Sequence, residues 1–134
     1  MKFHNVLFID DNEYDNYYHQ KIVEKSKAFE GIYSVQTGKV ALEYLKNRIS
    51  NRLDLPNLIF LDINMPGMNG WEFMEEFNKF PESAKRKIAI HILSTSENPD
   101  DKKQAEETDN VLGYLSKPLT LEALLEITKS LNSN

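Results

Sequence analysis

The sequence predicts an α/β fold in which a five-stranded parallel sheet is covered by helices on both faces. Three observations predict it. Short apolar runs alternate with amphipathic stretches five times along the 134 residues. The short runs are almost continuously apolar, which is typical of strands buried on both faces of a parallel sheet. A strict alternation of strands and helices favours a doubly wound arrangement. Because no linker, repeat or low-complexity tract interrupts the pattern, residues 1–134 are predicted to form a single domain.

The first strand and helix are predicted from a change in hydrophobic period. Residues 2–9 carry an apolar cluster at their carboxyl end, which favours a buried strand. Asp10 and Asp11 interrupt this cluster, and apolar side chains then recur at helical spacing over residues 13–29. Gly31 is expected to end this helix. The inner face of the helix is predicted to carry Tyr14, Tyr18, Ile22 and Phe29.

The second and third strands lie on either side of a capped helix. Residues 32–36 alternate like a strand, and Thr37 is a suitable N-cap for a helix that reaches about residue 49. Pro56 precedes the third strand, residues 57–61, which runs directly into Asp62. The inner face of this helix is predicted to carry Val40, Ala41, Tyr44 and Leu45.

The remaining elements continue the alternation. A third helix follows the turn at Gly70, and residues 87–93 are predicted as the fourth strand. A short polar helix over 99–107 precedes the fifth strand, 111–115, and Thr120 is the predicted cap of the last helix. Inward-facing residues are predicted at Phe73, Met74, Phe77 and Phe80 in the third helix, and at Leu121, Leu124, Leu125, Thr128 and Leu131 in the last.

The composition argues against several classes of protein. A net charge of −5 disfavours direct binding of nucleic acid. The chain has no cysteine, so it forms neither disulfides nor thiolate metal sites. No apolar run approaches the roughly 18 residues that a membrane span requires, and the first residues do not resemble a signal peptide. We therefore expect a cytoplasmic protein that binds neither membrane nor nucleic acid.

Polar side chains follow four of the five predicted strands. Asp10 and Asp11 follow the first, Asp62 the third, Ser94 the fourth and Lys117 the fifth. These groups are expected to converge, because the carboxyl ends of parallel strands share one edge of the sheet. Adjacent carboxylates repel one another unless a cation lies among them, and oxygen ligands of this kind suit Mg²⁺. A hard cation, a lysine and a nucleophilic carboxylate together favour a site that handles phosphoryl groups.

Taken in order, these motifs resemble those of a known family along essentially the whole chain. They are an acidic pair after the first strand, an aspartate before Met-Pro-x-x-x-Gly, a hydroxyl after the fourth strand and Lys-Pro after the fifth. This set is similar to the motifs of response-regulator receiver domains, the CheY-like family. The resemblance implies a flavodoxin-like (βα)5 fold with strand order 2-1-3-4-5. It also implies a stand-alone, single-domain response regulator of a two-component or phosphorelay pathway. Such a protein phosphorylates its own aspartate and is not a turnover enzyme.

The resemblance assigns a role to each site residue. Asp62 is the expected phospho-acceptor, and Lys117 is expected to pair with it at rest and with a phosphoryl oxygen afterwards. Mg²⁺ is expected to be bound directly by Asp11, Asp62 and the backbone carbonyl of Asn64, and by Asp10 either directly or through a water molecule. The expected switch residues are Ser94 and Tyr114, and Pro118 is expected to follow a cis peptide bond.

The implied partners are proteins. A sensor histidine kinase or a histidine phosphotransfer protein would supply the phosphoryl group. A downstream target would bind the face formed by the predicted fourth helix, fifth strand and fifth helix. Two residues depart from the common family pattern: Ser94 keeps the hydroxyl of the usual threonine, whereas Thr95 is bulkier than the usual small residue and is expected to narrow access to the site.

Three other functions compete with this hypothesis. A phosphatase of the haloacid dehalogenase type also uses an aspartate nucleophile and Mg²⁺, but it needs a second aspartate two residues later, where this chain has Asn64. A flavodoxin would bind the phosphate of FMN in its first loop, where Asp10, Asp11 and Glu13 would repel it. The main alternative is a pseudo-receiver, a docking module that acts independently of phosphorylation.

Overall fold

The computed structural model describes residues 3–132 and confirms the predicted fold class. Its five strands are all parallel and pair in the order β2-β1-β3-β4-β5, as the resemblance implied. The elements are β1 (Phe3–Ile9), α1 (Glu13–Ser26), β2 (Phe29–Val35), α2 (Gly38–Ser50), β3 (Leu58–Leu61), α3 (Gly70–Phe77), α4 (Glu82–Lys85), β4 (Ala89–Ser94), α5 (Pro99–Glu107), β5 (Val111–Ser116) and α6 (Leu121–Asn132). The four-residue helix α4 was not predicted.

Two apolar clusters, one on each face, hold the sheet between its helices. Successive residues of a strand point to opposite faces, so Leu7 and Ile9 belong to one cluster whereas Val6 and Phe8 belong to the other. Helices α2, α3 and α5 complete the first cluster, and α1 and α6 complete the second. All four residues of β3 are buried, which explains why that strand is entirely apolar.

Side-chain caps fix where the helices begin. The hydroxyls of Thr37 and Thr120 accept hydrogen bonds from backbone N–H groups three residues later, both at 3.1 Å, as predicted. Asn69 and Glu72 form a reciprocal capping box at the start of α3. Because α3 begins shortly after Asp62, this cap also fixes the turn that follows the aspartate.

The predicted first helix was too long. It ends at Ser26, because Lys27 adopts a left-handed backbone conformation (φ 56°) and its N–H group bonds back to the Glu24 carbonyl. Phe29 therefore begins β2 instead of extending the helix, and Gly31 lies within that strand, where it does not end a helix. The error arose because an αL cap does not require glycine.

The predicted buried face of α1 was wrong at its two tyrosines, whereas Ile22 packs against the core as predicted. Tyr14 and Tyr18 are 79% and 49% exposed, and the buried residues are Asn16, His19 and Val23. Asn16 donates to the Asp10 carbonyl and His19 accepts from the Leu119 N–H, so both polar side chains gain partners on burial. The tyrosine hydroxyls stay near water.

Smaller corrections concern the second, third and last helices. Val40 and Leu125 were predicted to face inward but are 47% and 42% exposed. Leu42 is the additional buried residue in α2, and Ile127 is the additional one in α6, where Leu124 and Thr128 are buried as predicted. Phe80 lies beyond the end of α3, although it still packs against the core.

Candidate functional site

The site lies at the carboxyl edge of the sheet, where β1 and β3 are neighbours. Ile9 of β1 and Leu61 of β3 are paired in the strand register. Asp10 directly follows Ile9, and Asp62 directly follows Leu61. The Asp62 N–H donates to the Ile9 carbonyl at 2.9 Å, so the sheet pairing continues to the aspartate itself. Asp10 and Asp62 are 4% and 7% exposed. The strand order therefore brings two buried carboxylates together.

Asp10, Asp11 and Asp62 form an acidic cluster. One carboxylate oxygen from each lies within 4.8 Å of the others. The turns orient these groups, because the Asn12 N–H donates to Asp10 and the Asn64 N–H donates to Asp62, at 3.0 and 3.2 Å. Three hard oxygen donors at this spacing fit a divalent cation, whereas a soft metal would prefer sulfur or nitrogen.

Lys117 supplies the positive charge of the site. Its Nζ lies 2.6 Å from Asp10 Oδ2, 2.8 Å from Asp15 Oδ2 and 3.7 Å from Asp62 Oδ2. The expected pairing with Asp62 is thus present at ion-pair distance, but Asp10 and Asp15 are closer. Burial alone would lower the pKa of Lys117, yet its hydrogen bonds to Asp10 and Asp15 and the charge of Asp62 raise it above its ordinary value.

The environment of Asp62 opposes its ionisation. Burial raises the pKa of the carboxyl group to about 6. Lys117 lowers this pKa and the Asp10 carboxylate raises it, so the cation only partly offsets desolvation. The negative charge of the Asp62 carboxylate is therefore only partly compensated by Lys117, and a bound metal ion would compensate it further.

Comparison with known proteins assigns this arrangement to a family. The model of the response regulator receiver domain matches residues 6–129. The chain belongs to the response regulator receiver family. A solved receiver, the two-component response regulator from Cytophaga hutchinsonii, is 35% identical, with a TM-score of 0.93 and full coverage of both chains.

Two cyanobacterial relatives add information about the site. Response regulator Rcp1 from Synechocystis is 27% identical over 96% of this chain and 86% of its own length. Its structure was solved in a Mn(2+)-bound form, with a TM-score of 0.70 and coverage of 96% and 91% of the two chains. The phosphorylated phytochrome response regulator RcpA is 30% identical, with a TM-score of 0.74 and the same coverage.

The two expected switch residues of this receiver domain lie around one loop. Ser94 ends β4, is fully buried, and accepts a hydrogen bond from the Ser96 N–H at 3.0 Å. The Tyr114 hydroxyl, from the middle of β5, donates to the Ser96 carbonyl at 2.9 Å. The Ser96 hydroxyl in turn donates to Asp101 in α5. Strand β5 and helix α5 are therefore both tied to the loop that follows Ser94.

Helix α1 contributes three site-supporting residues that the sequence did not reveal. Asp15 binds Lys117, Asn16 holds the Asp10 carbonyl, and His19 holds the backbone of Leu119, just after the cis Lys117–Pro118 bond. Burial, followed by the charge of Lys117, lowers the pKa of His19, which favours the neutral form that accepts this bond. The sequence indicates these roles only weakly, through the polar residues at positions 15, 16 and 19 that share the side of α1 facing the sheet.

Thr95, the bulky residue beside Ser94, has an exposed side chain.

Over residues 3–132, none of the helices combines the length and apolar character needed to cross a membrane.

Proposed function

We propose that residues 1–134 act as a single-domain response regulator that accepts a phosphoryl group on Asp62. The observation that carries this proposal is the constellation around Asp62. A buried carboxylate with a raised pKa faces one lysine and two further carboxylates at the end of a parallel sheet. A nucleophile, a source of positive charge and a set of hard metal ligands are what phosphoryl transfer to a carboxylate requires.

The proposed chemistry follows from the positions of these groups. An Asp62 carboxylate oxygen attacks the phosphorus of a phosphohistidine on a sensor histidine kinase or a histidine phosphotransfer protein. The new P–O bond forms as the P–N bond breaks, and the imidazole nitrogen keeps the electron pair. Lys117 is close enough to Asp62 to bind a phosphoryl oxygen by a modest movement of its ammonium group. The product is an acyl phosphate on this chain, so the protein is not a turnover enzyme.

The metal is proposed to be Mg²⁺, held by Asp10, Asp11 and Asp62 and by the backbone carbonyl of Asn64. When bound, Mg²⁺ would neutralise charge on the carboxylates and on the phosphoryl oxygens. The cluster of three hard donors supports a divalent ion, and Rcp1 crystallised with Mn(2+). Mg²⁺ prefers hard oxygen ligands and usually keeps several of its waters when it binds a protein.

Transmission is proposed to run through Ser94 and Tyr114 to the face formed by α5, β5 and α6. A phosphoryl group adds roughly two negative charges and new acceptor oxygens, to which the Ser94 hydroxyl can donate. That movement releases the Ser96 N–H, and Tyr114 is bound to the same residue. On the proposed face, α5 and β5 line a cavity of about 260 Å³, and Leu112 is 65% exposed. A downstream protein would bind there.

Intact mass spectrometry after incubation with acetyl phosphate tests the proposal. The wild type is expected to gain one phosphoryl group in Mg²⁺ and none in EDTA, and Asp62→Asn is expected to gain none. Asp109→Asn is the matched control, because Asp109 is exposed and precedes β5 at the end remote from Lys117.

The same measurement decides against the proposal in one clear case. If neither acetyl phosphate nor a phosphorylated histidine phosphotransfer protein labels the wild type, and Mg²⁺ does not bind, the chain is a phosphorylation-independent docking module. Labelling of Asp62→Asn at the wild-type rate would show that the acceptor is another residue.

A further inference from the structure

Asp15 is the unexpected partner of Lys117. Its Oδ2 lies 2.8 Å from Lys117 Nζ, nearly 1 Å closer than the Asp62 oxygen at 3.7 Å. The position of Asp15 is well defined, because its N–H and that of Tyr14 both donate to the Asn12 side chain that caps α1, at 3.1 and 2.9 Å. The start of α1 thus presents a third carboxylate to the lysine, in addition to those of Asp10 and Asp62.

A lysine ammonium has three N–H donors, and two of them are already used at short distance. The bonds to Asp10 and Asp15 are 2.6 and 2.8 Å long. The third donor remains for Asp62, whose Oδ2 at 3.7 Å lies beyond hydrogen-bond distance. We therefore expect the ammonium to move toward a phosphoryl group on Asp62 and to weaken one of the two short bonds. The Asp10 side chain is 6% exposed whereas that of Asp15 is 36% exposed, so water can replace the lysine at Asp15 much more easily. Asp15 is therefore the partner that Lys117 leaves.

We infer that Asp15 is a positioning residue that holds Lys117 back from Asp62 and thereby slows phosphorylation and weakens the binding of a phosphoryl group at Asp62. This inference rests on the proposed function of Asp62 and concerns the regulation of the same site. The Asp15 carboxylate competes with the phosphoryl group for one cation. The free energy gained when Lys117 binds the phosphoryl group is therefore reduced by the cost of breaking its ion pair with Asp15.

The experiment compares the wild type with Asp15→Asn, Asp15→Glu and Glu13→Gln. Asn keeps an acceptor atom and removes the charge, whereas Glu keeps the charge. Glu13 lies in the same first turn of α1 and is exposed, so Glu13→Gln removes one charge from the same helix terminus without involving Lys117. Two readouts are taken in excess Mg²⁺. One is the rate of phosphorylation by acetyl phosphate, in which the bond from phosphorus to the acetyl oxygen breaks and acetate leaves. The other is the affinity for beryllium trifluoride, a phosphoryl analogue, followed by fluorine NMR.

Asp15→Asn is expected to be phosphorylated about fivefold faster than the wild type and to bind beryllium trifluoride about fivefold more tightly, the range of a partly exposed ion pair. Asp15→Glu is expected to return toward the wild-type rate, and Glu13→Gln to stay close to it. A purely structural role for Asp15 would not produce this gain, because damage to α1 would slow the reaction.

Three outcomes would overturn the inference. They are an unchanged or slower reaction in Asp15→Asn, an equal acceleration in Glu13→Gln, and a wild type that takes neither the phosphoryl group nor beryllium trifluoride. Only the third concerns the wild type alone, and it marks a failure of the proposed function itself. The first two leave phosphorylation of Asp62 intact and reject the role of Asp15.

Discussion

Gly70 lies close to the backbone of the candidate site, which allows a quantitative prediction. It opens α3, and a Cβ atom added there would lie 2.7 Å from the Ile63 Cα and 2.8 Å from the Asp62 carbonyl oxygen. Real Cβ contacts essentially never fall below 3.0 Å. Both neighbours are backbone atoms and cannot rotate away, so Gly70→Ala must displace either α3 or the residue that carries the proposed acceptor.

The expected loss follows from this overlap. Overpacking of a rigid site costs about 1–3 kcal/mol, so we expect the free energy of unfolding of Gly70→Ala to fall by about 2 kcal/mol. For a chain of this size the midpoint of thermal unfolding should fall by about 8 °C. Phosphorylation by acetyl phosphate should slow by about tenfold or more in the folded variant, because the turn that orients Asp62 moves.

Gly38→Ala is the matched control for this prediction. Gly38 also opens a helix, but the nearest atom to its added Cβ is the Met68 sulfur at 2.9 Å, at the end of a flexible side chain. Alanine favours the helix, so this variant should remain within about 1 kcal/mol of the wild type. Urea denaturation followed by circular dichroism measures both. Equal stability of the wild type and Gly70→Ala would refute the argument that backbone contact at Asp62 requires glycine.

Two further predictions concern residues of β4 and β5. Burial lowers the pKa of His91 to about 4, so below its ordinary pKa of 6.5 the unfolded chain takes up a proton that the native protein does not. The contribution of His91 to stability is therefore full above about pH 7.5, and it falls by about 2 kcal/mol as the pH is lowered to about 5. His91→Gln should lack this loss in paired urea titrations, and an identical pH dependence in the two proteins would contradict the prediction. Tyr114→Phe removes the hydrogen bond to the Ser96 carbonyl and should lower the free energy of unfolding by about 1 kcal/mol. Tyr33→Phe, at an exposed tyrosine, is the control and should change it little. Equal effects of the two substitutions would show that the Tyr114 hydrogen bond does not stabilise the fold.

The parts of the fold that were predictable depend on local signals. Thr37 and Thr120 act as caps because a hydroxyl before a helix satisfies an N–H group three residues later, whatever the rest of the chain does. The convergence of Asp10, Asp62 and Lys117 was predictable for a different reason. It requires only parallel strands, whose carboxyl ends must share an edge.

The parts that were not predictable depend on partners distant in sequence. The periodicity of α1 predicted a buried face that carries tyrosines, but Asn16 and His19 are buried instead. They form hydrogen bonds with the backbone of Asp10 and Leu119, which are distant from α1 or outside its pattern. The pairing of Asp15 with Lys117 joins residues 102 positions apart. Pattern analysis of a single helix contains no information about such partners. It therefore identified Asp62 as the candidate acceptor and missed Asp15, which contacts the lysine of the site.

The central claim is that Asp62 itself carries the phosphoryl group, and reductive mapping tests it most directly. The wild type is treated with acetyl phosphate and Mg²⁺, then with borohydride, which converts an aspartyl phosphate to homoserine, and the modified peptide is sequenced by mass spectrometry. The account predicts homoserine at position 62 and nowhere else. Conversion at Asp10 or Asp11 with an unmodified Asp62, or a borohydride-stable phosphate on Ser94, would contradict it.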